Sequence, residues 1–297
     1  MSLKFKCIRR SLLYVPGSSE KMIAKALEVN ADSIILDLED AVSLSEKNAA
    51  RNIVKVNISK FKARGKEIIV RINDVKTQAG VRDIEAIVEE KPNAIIIPKA
   101  DEEAVLITDI LLKATEMRYE IEDSQIELIP LLETSYSIVN AYKIISSSKR
   151  ISAVQFGAED LTKELGIERS KEGKEIEYAR NVIAQAGNAC KIDILDTPFT
   201  EISDTEGLAG DTKHAKSIGF TGKTCIHPGQ VEIVNDIFTP NSGDVEKARE
   251  LINFFDEAVR AGKGACMYEG KMIDNPIADR ARKLVEKADN ISRFQHH

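Results

Sequence analysis

SIILDLED (33–40) is a short, nearly continuous block of isoleucine and leucine that closes on acidic residues. Five later blocks share this pattern of an apolar run ending in a charged or polar residue: EIIVRIND (67–74), AIIIPKA (94–100), IELIPLLET (126–134), ISAVQFGAED (151–160) and KIDILDTP (191–198). Strands covered by helices on both faces have this composition, because neither face meets solvent and no polar alternation is required. The pattern predicts a parallel sheet, with the charged residues gathered where its strands end.

Helix-like segments separate these blocks, and SLLYVPG (11–17) and TGKTCIHP (221–228) add a strand at either end. This makes about eight β/α units in roughly 230 residues, which is the size and rhythm of a (β/α)8 barrel. An open doubly wound sheet is the alternative, although it rarely strings together so many consecutive parallel units. In this interpretation Gly187 stops the helix before the seventh strand.

We therefore predict an α/β protein with a (β/α)8 TIM barrel and a C-terminal helical extension. The barrel, residues 9–230, is the expected catalytic domain. Residues 231–294 contain two helical patterns around the glycine-containing segment KGACMYEGKMID (263–274). An extension of this kind serves as a lid or as an oligomerisation arm, and the pattern alone does not separate the two.

Composition excludes several classes of function. The chain has 297 residues with 42 Lys and Arg against 48 Asp and Glu, and no basic stripe with interleaved aromatic residues, so we expect no nucleic-acid partner. Its apolar runs are far shorter than the ~18 residues that span a bilayer, so we expect no membrane association. The four scattered cysteines form no CxxC pair, which is typical of reduced thiols in a cytoplasmic enzyme.

The acids at the strand ends indicate a metal site. Carboxylates that face one small volume repel each other and raise one another's pKa, and a hard cation relieves this. Mg2+ takes one or two carboxylates and fills its other positions with water or substrate oxygens. Glu133 and Asp160, assigned to adjacent strands, are the expected pair, while Arg71 is placed to clamp a carboxylate or a developing oxyanion with its planar fork.

Some of these side chains have plainer interpretations. Asp40 and Asp196 fit a helix cap or a salt bridge as well as a ligand role. His227, before a proline, is a candidate base, but a structural hydrogen bond explains it equally well. Lys99 would be the Schiff-base residue of an aldolase, yet a rim rich in carboxylates keeps a lysine charged and unreactive. Neither GxGxxG nor GxxxxGK[ST] is present, so nothing indicates a nicotinamide or ATP site.

Nine sequence blocks together resemble one family. They are RRSLLYVPGSSEKM (9–22), ILDLEDAV (35–42), VRIND (70–74), IIPKA (96–100), LLET (131–134), FGAEDL (156–161), ILDTP (194–198), GKTCIHPGQ (222–230) and EGKMIDNP (269–276). In order and spacing they resemble the citrate lyase beta-subunit-like branch of the HpcH/HpaI aldolase superfamily, which includes malyl-CoA and citramalyl-CoA lyases. The resemblance covers nearly the whole chain.

The resemblance implies roles for particular residues. Glu133 and Asp160 match the Mg2+ ligands, with Mn2+ as a substitute ion. Arg71 matches the substrate-clamping arginine. Asp274 matches an acid/base residue that a neighbouring subunit delivers, which implies a homotrimer or a multiple of it.

The resemblance also implies contacts for substrate and thioester. The backbone of Gly157, Ala158 and Glu159 resembles the segment that holds a keto-acid carboxylate, and Asp37, Glu39 and Asp40 resemble an acidic cluster beside the metal. Arg10 and Lys21 match positions near the phosphates of CoA.

These expectations describe a Mg2+-dependent carbon–carbon lyase. Its substrate is a 3-hydroxyacyl thioester of CoA or of an acyl carrier, of the citramalyl-CoA or malyl-CoA type, cleaved to an acyl thioester and a 2-keto acid by retro-Claisen chemistry. One alternative is the citryl-thioester lyase subunit of a citrate lyase complex. Another is condensation or thioester hydrolysis of the malate-synthase or thioesterase type. A non-catalytic keto-acid-binding module would lack residues such as Glu133, Asp160 or Asp274, and all three are present.

Overall fold

The computed structural model describes residues 7–295. The chain divides into two compact units. The larger is Arg9–Asp236, and the smaller comprises residues 237–295 together with residues 7 and 8. The roles predicted for residues 9–230 and 231–294, as catalytic domain and lid-bearing extension, stay predictions.

The larger unit is a closed barrel of eight parallel strands in chain order. The strands are β1 Ser11–Pro16, β2 Ser33–Asp37, β3 Glu67–Arg71, β4 Ala94–Ile97, β5 Glu127–Leu132, β6 Ala153–Phe156, β7 Asp193–Asp196 and β8 Gly222–Cys225. Closure comes from β1, which pairs with β2 on one side and with β8 on the other. The predicted (β/α)8 barrel is confirmed, and all eight predicted strands are present.

Helices follow the strands of the barrel. They are α1 Glu20–Ala26, α2 Lys47–Ala63, α3 Gln78–Ile87, α4 Glu102–Arg118, α5 Ser135–Val139, α6 Ala141–Ile145, α7 Ala158–Leu165, α8 Glu177–Cys190, α9 Thr205–Ser217 and α10 Pro228–Phe238. Several begin with a side-chain cap: Ser19, Thr77, Asp101, Thr134 and Asp204 each accept a hydrogen bond from a backbone N–H of the first turn.

Apolar side chains fill the inside of the barrel. They come from alternate positions of the strands, and the fully buried set includes Leu12, Ile35, Ile69, Ile96, Ile129, Leu131, Ala153 and Leu195. Because side chains of a strand alternate between its two faces, the residue two positions after each of these also faces inward. The inward row therefore leads directly to the residues at the carboxyl ends of the strands.

The smaller unit pairs two long helices, α11 Ser242–Arg260 and α12 Asn275–Gln295. Between them a two-stranded antiparallel hairpin forms from β9 Cys266–Tyr268 and β10 Lys271–Ile273. Phe255, Ile273 and Ala278 form its buried core. No strand is predicted for this connection from the sequence, so the hairpin is an addition.

Gly187 does not stop a helix, contrary to the prediction. It lies inside α8, which runs on to Cys190 and ends at Lys191 in a left-handed conformation with φ 57°. A Cβ on Gly187 would come within 2.5 Å of Ile194, so this glycine allows α8 to pack closely on β7. In the described part of the chain, every helix is too short or too polar to cross a bilayer.

Candidate active site

The site residues stand at the top of the inward-facing rows. Ile69 faces the barrel interior, and two positions later Arg71 ends β3. The same step leads from Ile35 to Asp37 at the end of β2, and from Leu131 to Glu133, the first residue after β5. The fold thus gathers charged side chains at the rim where barrels bind their ligands.

Arg71 is held firmly in this rim. Its Nε and Nη2 atoms donate to the two carboxylate oxygens of Asp37, at 2.7 and 2.6 Å, and its guanidinium carbon lies 5.0 Å from the ring centre of Tyr14. The remaining nitrogen, Nη1, is 3.1 Å from Glu39 Oε2 and 3.3 Å from Asp40 Oδ2. Asp37 therefore fixes the orientation of Arg71, and its place in the acidic cluster beside the metal stays a prediction.

Lys99 contacts three acids of the rim. Its backbone N–H donates to Glu133 Oε1 at 2.7 Å, and its Nζ lies 3.1 Å from Glu39 Oε1 and 3.8 Å from Asp160 Oδ2. The φ of Lys99 is 46°, a left-handed conformation that is uncommon for a residue with a side chain. The charged amine of Lys99 therefore lies among the carboxylates of Glu133, Glu39 and Asp160.

Glu133 is the most perturbed acid of the rim. Burial raises its pKa to about 8, and the neighbouring charges of Glu39 and Asp160 add to this against the opposing hydrogen bond from Lys99. Burial also raises the pKa of Glu39, although Arg71 and Lys99 act against the shift. Burial alone would lower the pKa of the Lys99 amine, but Glu39, Glu133 and Asp160 outweigh it and raise that pKa, as expected for a charged, unreactive lysine.

The donor set fits a hard divalent cation. Glu39 Oε2 is buried without a hydrogen bond, since Nη1 of Arg71 approaches it outside hydrogen-bonding geometry. Among the described residues, no three Asp, Glu, His or Cys side chains are arranged to hold a metal by themselves. A cation on Glu133 and Asp160 would therefore complete its shell with water and substrate oxygens, which is how Mg2+ is usually bound.

Asp160 and Glu159 do not end a strand, contrary to the prediction. Both lie in the first turn of α7, which starts directly after β6 and Gly157. A Cβ on Gly157 would approach Glu133 Cβ to 2.6 Å and Glu133 Oε2 to 2.8 Å, so only glycine lets α7 begin this close to Glu133. This close approach brings the carboxylate of Asp160 to the rim.

Fewer backbone N–H groups are available to hold a keto-acid carboxylate than the family resemblance implies. Gly157 N–H donates to Leu132 O at 3.0 Å, and Ala158 N–H donates to Thr197 Oγ1 at 3.2 Å. Both groups are therefore engaged within the fold. Glu159, at the second position of α7, keeps an N–H that the helix itself cannot pair, so the first turn of α7 still presents a donor and a positive dipole end.

Arg10, Lys21 and Asp274 occupy three different places in the structure. Arg10 precedes β1 at the opposite end of the barrel, where it is buried and its guanidinium binds Asp32 at 2.7 and 2.8 Å. This position removes Arg10 from the predicted CoA contacts. Lys21 is exposed in the first turn of α1. Asp274 lies in the smaller unit, where its Oδ1 accepts a hydrogen bond from Ile277 N–H at the start of α12.

Two side chains of this region were missed. Tyr14 on β1 and Gln155 on β6 hydrogen bond to each other at 2.8 Å beneath Arg71. Both follow an inward residue by two positions, Leu12 and Ala153. Alternation within the apolar blocks would have marked them as polar residues pointing into the barrel.

The structure supports the plainer interpretations of two other residues. Asp196 is a salt-bridge partner, fully buried against Arg180 and Lys223 at 2.9 and 2.6 Å. His227 is exposed, and its Nδ1 accepts a hydrogen bond from Gly229 N–H at 3.1 Å.

Comparison with known proteins places this geometry in context. Residues 10–228 match the family described as HpcH/HpaI aldolase/citrate lyase. The chain is 36% identical over 282 residues to the citrate lyase subunit beta of Haemophilus influenzae, a match that covers 95% of this chain and 97% of that protein. It is also 36% identical over 292 residues to a (3S)-malyl-CoA thioesterase of Cereibacter sphaeroides, covering 96% of each.

A solved structure resembles this one in fold and contains ligands. The CitE protein of Mycobacterium tuberculosis, in complex with magnesium, acetoacetate and coenzyme A, aligns with a TM-score of 0.74 at 28% identity. The alignment covers 96% of this chain and 99% of that one.

Proposed function

The chain belongs to the HpcH/HpaI aldolase/citrate lyase family, and from that premise we propose that it is a Mg2+-dependent lyase of 3-hydroxyacyl thioesters. The substrate is of the citramalyl-CoA or malyl-CoA type, and the products are an acyl thioester and a 2-keto acid. The observation that carries the proposal is the cluster of Glu133, Asp160 and Glu39 with too few positive partners. Such a cluster is completed by a divalent cation.

Glu133 and Asp160 are the residues that would hold the ion. When bound, Mg2+ supplies a Lewis acid for the oxygens of the hydroxy or keto acid and a template that orients them. The magnesium and coenzyme A in the Mycobacterium tuberculosis structure support both the ion and the thioester.

The cleavage itself follows from the chemistry of the substrate. The hydroxyl proton leaves, the carbon–carbon bond between the hydroxyl carbon and the thioester α-carbon breaks, and the hydroxyl carbon becomes the carbonyl of the keto acid. The electron pair remains as a thioester enolate, which takes up one proton at carbon to give the acyl thioester. Negative charge thus passes from one oxygen to another during the reaction.

Arg71 is suited to that change of charge. Asp37 fixes two of its nitrogens, so Nη1 is offered in a set position at the rim. Preorganised charge of this kind stabilises a developing oxyanion without reorganising during the reaction. The N–H of Glu159, at the start of α7, supports the keto-acid carboxylate, and we propose that Asp274 of a neighbouring subunit exchanges the proton at the enolate carbon.

Hydrolysis of the thioester is the second candidate. The specific support for it is the malyl-CoA thioesterase of Cereibacter sphaeroides, which is as similar to this chain as the Haemophilus influenzae citrate lyase subunit. Hydrolysis releases free CoA and leaves the hydroxy acid intact, whereas cleavage releases acyl-CoA and a keto acid. The two reactions are therefore separated by their products.

The experiment incubates the protein and Mg2+ with citramalyl-CoA, malyl-CoA and citryl-CoA in turn. A hydrazone assay detects the keto acid, a thiol reagent detects free CoA, and mass spectrometry detects the acyl thioester. We expect equal amounts of keto acid and acyl-CoA from at least one substrate. Release of free CoA together with intact hydroxy acid would identify a hydrolase and contradict the lyase proposal. If none of the three thioesters gave a product, both proposals would be contradicted.

A further inference from the structure

Lys47 occupies a position that is unfavourable for a lysine. It is the first residue of α2, where the positive end of the helix dipole repels a cation, and it is only 8% exposed. Burial lowers the pKa of its amine, and within the described part of the chain that amine forms no ion pair with a carboxylate. Residues that break local rules in this way are concentrated at functional sites.

The amine of Lys47 holds one turn of the backbone. Its Nζ donates to the carbonyl oxygens of Leu38 and Glu39, at 2.7 and 2.6 Å. These two residues directly follow β2, in the connection that leads to α2. Because the carbonyls of successive residues both bind one ammonium group, the turn cannot rotate without losing a charge-assisted hydrogen bond.

The same turn is also attached to the end of β3. Leu38 N–H donates to Arg71 O at 2.9 Å, and Asn73 Nδ2 donates to Leu38 O at 2.8 Å. Asn73 is itself fixed by Asp83 Oδ2, which accepts from its N–H and its Nδ2 at 2.7 and 2.6 Å. Lys47 adds the attachment to α2, so the backbone of the turn is held from two sides.

The turn carries one of the acids of the rim. Glu39 Oε1 lies 3.1 Å from Lys99 Nζ, and Glu39 Oε2 lies 3.1 Å from Arg71 Nη1. Oε2 is buried without a hydrogen bond, and such a group calls for an explanation. The charge of Glu39 also helps to raise the pKa of Glu133. The position of this carboxylate depends on the backbone that Lys47 holds.

We propose that Lys47 is a positioning residue of the candidate active site. By holding the carbonyls of Leu38 and Glu39, it keeps the Glu39 carboxylate at the rim. There the negative charge strengthens the binding of Mg2+ to Glu133 and Asp160, since opposite charges attract without direct ligation. The effect on Mg2+ rests on the proposed function, whereas the hold on the turn does not.

Hydrogen exchange of the metal-free protein tests the hold on the turn. Lys47→Met removes the ammonium group and keeps an apolar stem. We expect amides in peptides that span residues 37–42 to exchange at least about tenfold faster in this variant, because the turn opens more often.

The control for lost stability is Arg150→Met. Arg150 is another buried cation, paired with Glu116 at 2.6 Å, and it precedes β6 at the opposite end of the barrel from the rim. Its loss should destabilise the fold and leave the exchange of residues 37–42 close to that of the wild type. Unchanged exchange in Lys47→Met, or an equal change in both variants, would overturn the proposal.

The sign of the effect on Mg2+ affinity separates position from charge. Removal of a nearby positive charge would by itself strengthen the binding of a cation. Loss of the Glu39 position should weaken it instead. Titration calorimetry with Mg2+ measures the affinity without any thioester substrate, and we expect Lys47→Met to bind the ion at least about fivefold more weakly than the wild type. Arg150→Met should bind it as the wild type does.

A double-mutant cycle tests whether Lys47 acts through Glu39. Glu39→Gln should also weaken Mg2+ binding, and the double variant should bind no more weakly than Glu39→Gln alone, because the two residues act as a unit. Circular dichroism confirms that each variant is folded. Unchanged or tighter binding by Lys47→Met, wild-type affinity in Glu39→Gln, or additive losses in the double variant would each overturn the proposal.

Failure of the proposed function gives a different result. A wild type that binds no Mg2+ would contradict the metal site and, with it, the support that Glu39 gives to the ion. The exchange measurement would still decide whether Lys47 holds the turn, because it is made without the ion.

Discussion

The guanidinium of Arg71 makes two kinds of contact. Nε and Nη2 hold Asp37, while Nη1 faces the acids of the rim, and Tyr14 lies against the guanidinium plane. A lysine in its place would keep the charge but could not form the fork and present a third nitrogen at the same time.

Arg71→Lys should therefore lower kcat/KM at least about tenfold on the best thioester substrate, because the loss falls on the developing oxyanion. The control is Arg82→Lys at an exposed position of α3. Steady-state kinetics with both variants checks the prediction. A lysine variant as active as the wild type would mean that Arg71 serves only to pair with Asp37.

Glu133 connects the proposed metal site to the stability of the fold. Its pKa in the folded protein is about 8, against about 4.3 for an unperturbed glutamate. Between these values the folded chain retains a proton that the unfolded chain has lost, so the stability contributed by protonated Glu133 disappears as the pH rises toward 8.

In the metal-free protein, Glu133→Gln should abolish this loss of stability with rising pH, because glutamine does not ionise. Relative to the wild type, its free energy of unfolding should rise between pH 5 and pH 8 by on the order of 2–4 kcal/mol. Urea titrations in EDTA at both pH values measure this, with the exposed Glu85→Gln as control. Added Mg2+ should stabilise the wild type and not Glu133→Gln. If the difference in free energy of unfolding between variant and wild type did not change with pH, the raised pKa of Glu133 would be contradicted.

Single residues were predictable where composition and strand position agree. Glu133 and Arg71 end strongly apolar blocks, and a charge in that place is visible in the sequence. Tyr14 and Gln155 lie inside such blocks and not at their ends, so attention to the strand ends overlooks them. Only the family resemblance connects Arg10 with CoA, and its position before β1 places it at the other end of the barrel.

Among the elements of the barrel, four are joined by one buried ionic network. Arg180 of α8 and Lys223 of β8 each contact Asp196 of β7 and Asp211 of α9, at 2.6–2.9 Å. The network fixes the end of β7, and the next residue, Thr197, accepts the hydrogen bond from Ala158 N–H at the start of α7. An ionic network separate from the acids around Lys99 thus supports the start of the helix that carries Asp160.

Lys223→Met should destabilise the protein by about 3–5 kcal/mol, because it leaves two buried carboxylates with a single cationic partner. Equilibrium unfolding in urea measures the loss, with the exposed Lys213→Met on α9 as control. If the two variants unfolded within about 0.5 kcal/mol of each other, the network would be contributing little.

The order and type of the helices and strands are easier to predict from the sequence than the residues at which they begin and end. Eight apolar blocks and their helical separators are enough to predict the barrel. Gly187 is misleading because glycine both ends helices and permits close packing, and Ile194, which selects the second use, becomes its neighbour only after folding. The strands β9 and β10 have three residues each, too few to show a period.

For the whole molecule, the question is how Asp274 and Glu133 cooperate. We propose that each active site combines Glu133 of one copy with Asp274 of another. Asp274→Ala and Glu133→Ala should each be inactive alone, and after subunit exchange their mixture should recover part of the wild-type activity, because some sites contain two intact halves. Mass spectrometry establishes that mixed oligomers form; if they do and activity stays absent, Asp274 acts within its own chain or has no part in the reaction.

The central claim is that the rim is a divalent-cation site that supports cleavage. The most direct test is keto-acid release from the best thioester substrate, measured before chelation, after thorough treatment with EDTA, and after Mg2+ or Mn2+ is added back. We predict that activity falls to background on chelation and returns with either ion, and that Glu133→Gln responds to neither. Undiminished keto-acid release from the chelated wild-type protein would contradict the claim.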